Sequence, residues 1–179
     1  MEVRKIFKDQ RALLALVILI IIGVVSTINP KFIGIKNLIT IFQQISVIGI
    51  LTMAMSVLLI GGGIDLSIGN IMALSGVVMA RMIGGGQSVL TATAAGVVVG
   101  VLCGFLNGAI ISKSKAIPLI ISLGTSQIFY GLSLTISGGR ILSFNGAFNA
   151  IGKTKLFGVF PVMLLFLIFM VLLSFVLMN

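Results

Sequence analysis

The charges of this 179-residue chain fall almost entirely between long apolar runs, and that separation decides what it can fold into. Uncharged stretches cover Ala12 to Ile28, Leu38 to Ile60, Ser88 to Ser112, Pro118 to Ser137 and Phe160 to Met178; a further apolar stretch, Leu66 to Ile83, carries only Arg81 near its end. At about 1.5 Å per helical residue, even the shortest of these reaches about 26 Å, the lower limit for crossing the hydrocarbon layer. Lipid supplies no hydrogen bonds, so backbone groups must pair within the segment or across a closed barrel, and apolar runs without strict alternation select helices. The predicted fold is an all-α polytopic membrane protein of about six transmembrane helices. A composition of 59% hydrophobic and 8% charged residues agrees with it.

The same composition excludes several functions. The net charge of +9 is spread among the connections instead of forming one basic face with interleaved aromatics, so nucleic acid is not an expected partner. The single cysteine, Cys103, lies inside an apolar run, and with no histidine there is neither a disulfide framework nor a zinc or haem constellation; no cofactor is expected. A serine nucleophile would need a histidine or lysine beside it, yet every lysine lies in a connection or in the N-terminal head. The chain is not expected to be an enzyme.

Residues 1–11 form a basic head with Arg4, Lys5, Lys8 and Arg11. A signal peptide shares this layout, and Val24-Val25-Ser26 weakly resembles a cleavage site, but the amount of spanning sequence that follows favours an uncleaved first span. Asn29-Pro30 ends that span, Gly84-Gly85-Gly86 reads as a turn, and the polar interval from Gly138 to Gly158 is expected outside the bilayer. Alternating spans place six basic residues on each side, and the density of the N-terminal cluster breaks the tie in favour of a cytoplasmic N-terminus.

Between the second and third spans runs Gly61-Gly62-Gly63-Ile64-Asp65-Leu66-Ser67-Ile68-Gly69. An Asp at the centre of a membrane helix costs roughly 2.5 to 3.5 kcal/mol on insertion scales. Glycines at 61, 62, 63 and 69 are the predicted helix break that accommodates it. Three readings of Asp65 fit: an N-cap accepting from amides near Ser67 and Ile68, a gate or pathway contact, and a proton relay. The relay is the weakest, because no second carboxylate or histidine stands nearby. The cluster is no phosphate loop, since no Gly-Lys-Ser/Thr ending follows it.

Two periodic patterns complete the reading. Gly96, Gly100, Gly104 and Gly108 repeat every fourth residue, a spacing that lets helix backbones approach, either inside one bundle or between two copies of the chain. Ser122, Ser126, Tyr130, Ser133 and Ser137 fall within an arc of about 80° on one helix, which serves either a hydrophilic path or interhelical hydrogen bonding. The candidate pathway or gate residues are Asp65, Ser67, Asn107, Ser122, Ser126 and Tyr130.

Asn29-Pro30-Lys31-Phe32 leading to Asn37-Leu38, then Gly62-Gly63-Ile64-Asp65-Leu66-Ser67-Ile68-Gly69, resembles permease subunits of ribose, xylose and galactoside ABC importers. Gly104-Phe105-Leu106-Asn107-Gly108, Ile117-Pro118, Ser122-Leu123-Gly124-Thr125 and Gly138-Gly139 extend the resemblance in that family's order. It implies a permease of the bacterial inner membrane that imports a sugar by alternating access. The implied partners are cytoplasmic ATPase subunits, a second permease subunit and an extracytoplasmic sugar-binding protein. The family pattern is nearly twice as long, with residues 12–179 corresponding to the N-terminal portion of a single transmembrane permease domain. A truncated product, half of a split permease and a piece of a longer chain all fit that difference. From the residues alone, a secondary carrier or channel using Asp65 as its coupling group and a nonfunctional truncated permease are the alternatives.

Overall fold

Hydroxyls, an amide and small side chains, not large aliphatic ones, fill much of the interior of this chain. The structure is a computed structural model that describes residues 10–114 and 116–149, together with positions 155, 156, 160, 161, 165, 168, 169, 171–173 and 175. Helix α1 spans Gln10–Ile28 and is followed by a 3-10 turn, Pro30–Ile33, in which the Asn29 side chain accepts a hydrogen bond from the Lys31 amide. Helices α2 (Ile35–Ile60), α3 (Ile68–Gly84), α4 (Val89–Lys113) and α5 (Pro118–Ser137) follow. α2, α4 and α5 are long and apolar enough to cross a membrane, while Ala12–Ile28 and α3 are shorter apolar helices. With its apolar side chains outward, this is an all-α polytopic membrane protein.

The predicted spans correspond to these five helices within a few residues at each end. Residues 1–9 of the basic head and most of the sixth predicted span, 160–178, lie outside the described residues, while Gln10 and Arg11 open α1. Within that span Leu165, Ile168, Phe169, 171–173 and Phe175 are helical. Its predicted start is corrected: Phe160–Pro161 form a short strand, β2, paired antiparallel with β1, Lys155–Leu156. Pro161 has no amide proton to donate, which suits the end of so short a ladder.

α3 packs on both α4 and α5, and its register is readable from side-chain pairs. Ser67 meets Asn107 at one end, and Met79 lies against Gly96 at the other, so α3 and α4 run antiparallel. Leu74, Cys103 and Phe129, one from each helix, form the buried apolar cluster, with Ile71, Val78 and Val99 around it. Elsewhere the burial pattern is inverted relative to a soluble protein. Ser46, Ser67, Asn107, Ser122, Ser126, Ser133 and Ser137 are buried, whereas Leu19, Leu90, Val97, Val101, Phe105 and Ile120 are exposed. In lipid an aliphatic side chain loses nothing by facing outward, and helices associate through small and polar contacts instead.

The predicted glycine stripe divides in two. A Cβ at Gly96 would collide with Sδ and Cγ of Met79, and one at Gly100 would sit 3.4 Å from Ser75 Oγ, so both positions carry the α3–α4 approach. At Gly104 and Gly108 an added Cβ would meet nothing within 4 Å. Gly96→Leu is therefore expected to destabilise the folded chain by about 1 to 3 kcal/mol through overpacking, while Gly104→Leu leaves its melting temperature in detergent unchanged. Equal thermal shifts for the two variants would refute this division.

Candidate functional site

The break between α2 and α3 is built by backbone geometry first. Gly62 adopts φ 78°, and the amides of Gly62 and Gly63 donate to Leu59 O and Leu58 O at 3.0 and 2.9 Å. This is the paired closure of a helix by a left-handed residue, which a Cβ would strain. It satisfies the Leu58 and Leu59 carbonyls of α2 without help from any other element. Gly69, predicted as part of the break, instead lies within the first turn of α3.

Beyond the glycines the chain extends to Asp65, whose carboxylate folds back over the start of α3. Oδ1 accepts from the Ser67 amide at 2.7 Å and from Ser67 Oγ at 2.6 Å. Oδ2 accepts from Asn107 Nδ2 at 3.0 Å. The same Nδ2 donates to Ser67 Oγ at 2.8 Å, and Asn107 Oδ1 accepts the Thr125 hydroxyl at 2.6 Å. The amide orientation of Asn107 follows: only its NH2 serves a carboxylate, which accepts and never donates when ionised. Every donor in the chain Thr125, Asn107, Ser67 thus points toward Asp65, and all of these groups are neutral.

Hydrogen bonds to an ionised acceptor are worth about 1.5 to 3 kcal/mol each, so two of them already match the cost of placing an Asp in a membrane helix. A second set of bonds lies one turn further along α3. Asn70 Nδ2 donates to Ser126 Oγ at 2.7 Å and to Ser126 O at 3.1 Å, and Ser126 Oγ reaches Leu66 O at 3.3 Å. Asn107 and Ser67 are 1% and 0% exposed, so the network is sealed from its surroundings except at Asp65, which is half-buried. No buried side-chain nitrogen or oxygen lacks a partner among the described residues.

The position is also deep. Asn107 precedes the end of α4 at Lys113 by six residues, about 9 Å at 1.5 Å per residue. α3 therefore begins well inside the level at which its neighbour ends, which explains its short 17-residue length. On the side of Asp65 away from the network, Ile48, Leu51, Thr52, Met55, Ser56 and Leu59 of α2 face it across a groove of about 380 Å³.

The structure brings together Asp65, Ser67 and Asn107 as one cluster and places Ser126 in the adjoining one. Ser122 is buried but donates to Leu119 O of its own helix at 3.1 Å. Tyr130 stands on the outer face of α5, 47% exposed and apart from the network. The inward face of α5 carries Phe129 instead, with Ser122, Thr125, Ser126, Ser133 and Ser137. Sequence reasoning gave no role to Asn70 or Thr125. Both have a signal: each stands three residues after a residue already singled out, Ser67 and Ser122, and so shares its helix face.

Residues 37–179 match the family described as branched-chain amino acid transport system / permease component. The chain belongs to this permease family. It is 34% identical over 154 residues to the ribose import permease protein RbsC of Escherichia coli (strain K12), covering 86% of this chain and 46% of that protein. RbsC of Bacillus subtilis (strain 168) is 35% identical over 149 residues, covering 82% and 46%. The D-allose transport system permease protein AlsC of Escherichia coli (strain K12) is 38% identical over 123 residues, covering 68% and 38%. The chain thus spans about half the length, or less, of these relatives. No solved structure matches it.

If the carboxylate cluster works as one unit, its members must couple energetically. Asp65→Ala and Asn107→Ala are each expected to destabilise the chain by about 1 to 3 kcal/mol, and the double variant should fall short of their sum by at least about 0.5 kcal/mol. Thermal denaturation of the purified chain in detergent measures all three, and strict additivity would dissolve the cluster into independent contacts.

Proposed function

We propose that this chain is a permease subunit, or the N-terminal portion of one, of an ATP-driven importer for a small neutral sugar. The observation that carries the reading is the similarity to ribose import permease proteins over most of the chain, and the site chemistry agrees with it. A single carboxylate bonded only to neutral donors has no second titratable partner in hydrogen-bond contact to which a proton could pass, which favours an uncharged cargo over proton coupling. Energy would come from separate ATPase subunits, and substrate from an extracytoplasmic binding protein. A second permease subunit would complete the path in the inner membrane.

With the N-terminus in the cytoplasm, the break at Asp65 belongs to the cytoplasmic half, and the ends of α3 and α5 face outward. That outer end offers a recess of about 520 Å³ lined by Arg81, Gly85, Ile141 and Asn145, with Ile141 fully exposed beside Arg140. The acidic residues of the chain, Glu2, Asp9 and Asp65, all belong to the opposite side in this arrangement. A delivering protein with an acidic rim would complement the recess.

Radiolabelled D-ribose uptake by membrane vesicles carrying the chain and its accompanying transport subunits is expected to require internal ATP. Uptake driven by a proton gradient without ATP, and abolished by Asp65→Asn, would replace this reading with a secondary carrier. Arg81→Glu combined with Arg140→Glu should lower uptake at limiting binding-protein concentration about tenfold or more, by like-charge repulsion at the rim, and unchanged uptake would detach the binding protein from this end.

A further inference from the structure

Asp65 is not exhausted by its internal bonds. A carboxylate offers about four lone-pair positions, and Oδ1 uses two of them on the Ser67 amide and hydroxyl, while Oδ2 accepts only Asn107 Nδ2. One position on Oδ2 is left, and Asp65 lines the groove toward α2. Across that groove Thr52 and Ser56 have committed their protons, Thr52 to Ile48 O and Ser56 to Thr52 O, both at 2.8 Å. Their oxygens are thereby left as acceptors, on residues that line the groove. The polar side chains lining it are these three alone among the described residues, set between Leu51, Met55 and Leu66.

An acceptor-only lining selects donors. We infer that this groove is a subsite for a neutral molecule that carries several hydroxyl groups along one edge and C–H groups along the other. The hydroxyls donate to Asp65, Thr52 and Ser56, and the C–H face packs on the leucines. Its volume of about 380 Å³ falls within the range of about 300 to 1,000 Å³ usual for small-molecule sites. A hard cation fits poorly, since Ca²⁺ takes about six to eight oxygens and the groove provides a single carboxylate. The inference rests on the sugar-permease reading and deepens it by naming where the solute sits and which atoms choose it.

The test uses the full chain in lipid nanodiscs, with D-ribose and fully O-methylated ribose as probes in saturation-transfer NMR. Wild-type protein is expected to give a saturable signal with ribose and none with the methylated derivative, which has no donors. Thr52→Val with Ser56→Ala, which touches nothing in the Asp65 network, should weaken ribose binding about tenfold. Asp65→Asn should weaken it by at least as much and counts only if its melting temperature matches wild type. Absence of a ribose signal, equal binding of the methylated sugar, or wild-type affinity in the Thr52/Ser56 variant would each overturn the subsite. Donor-dependent ribose binding in a chain whose uptake proves independent of ATP would uphold the subsite while removing the transport reading.

Discussion

A carboxylate placed below the end of a membrane helix must find donors nearby, and the packing of α3, α4 and α5 is arranged around that requirement. Asp65 draws on Ser67 of its own segment and on Asn107 of α4, and Asn107 in turn is held by Thr125 of α5. One anion thereby gathers all three helices at a common level. At the far end of α3 the attraction is of another kind: Gly96 and Gly100 remove side-chain bulk so that Ser75 and Met79 can close on α4. Between these two ends lies the small apolar cluster around Leu74, Cys103 and Phe129. Hydrogen bonds fix the register, close approach fixes the distance, and the apolar cluster fills what is left.

Most other hydroxyls take no part in this. Ser26, Thr27, Thr40, Ser46, Thr52, Ser56, Thr93, Ser133 and Thr135 donate to a carbonyl three or four residues back on their own helix. That local bond lets a polar side chain enter a bundle without a partner from elsewhere. A serine stripe on a membrane helix is therefore weak evidence for a path. In α5, Thr125 and Ser126 reach across to other elements, whereas Ser133 and Ser137 bond within their own helix.

The helices were readable because charge and turn residues punctuate the apolar runs. The N-terminal ends of α4 and α5 coincide with Ser88 and Pro118, residues whose capping and ring geometry suit a helix start. The bond from the Ser67 amide to Asp65 was also legible, since an Asp can accept from the amide two residues on, although the residue at the N-cap of α3 is Ser67 and not Asp65. The three-dimensional partners were not. Asn107 stands 42 residues from Asp65, and Thr125 lies 18 further on, so no local pattern joins them. Tyr130 falls outside the inward face of α5 because an 80° arc drawn on an ideal helix admits residues at its edge, and that face centres on Thr125, Ser126 and Phe129. The glycine repeat divides because a step of four residues on a helix of 3.6 per turn rotates by about 40°, which carries Gly104 and Gly108 off the face of α4 that buries Gly96, Cys103 and Asn107.

The closure of α2 by Gly62 has a mechanical corollary. The Val57, Leu59 and Leu58 carbonyls of α2 are bonded to the amides of Gly61, Gly62 and Gly63, whereas the bonds accepted by Asp65 run forward, to Ser67 and Asn107. The two sets of bonds thus share no residue, and a pivot about residues 63 and 64 breaks neither. Such a joint lets one rod tilt against a rigid trio at almost no enthalpic cost, so the stiffness of this region is set by whatever flanks α2 in the bilayer and not by the joint itself.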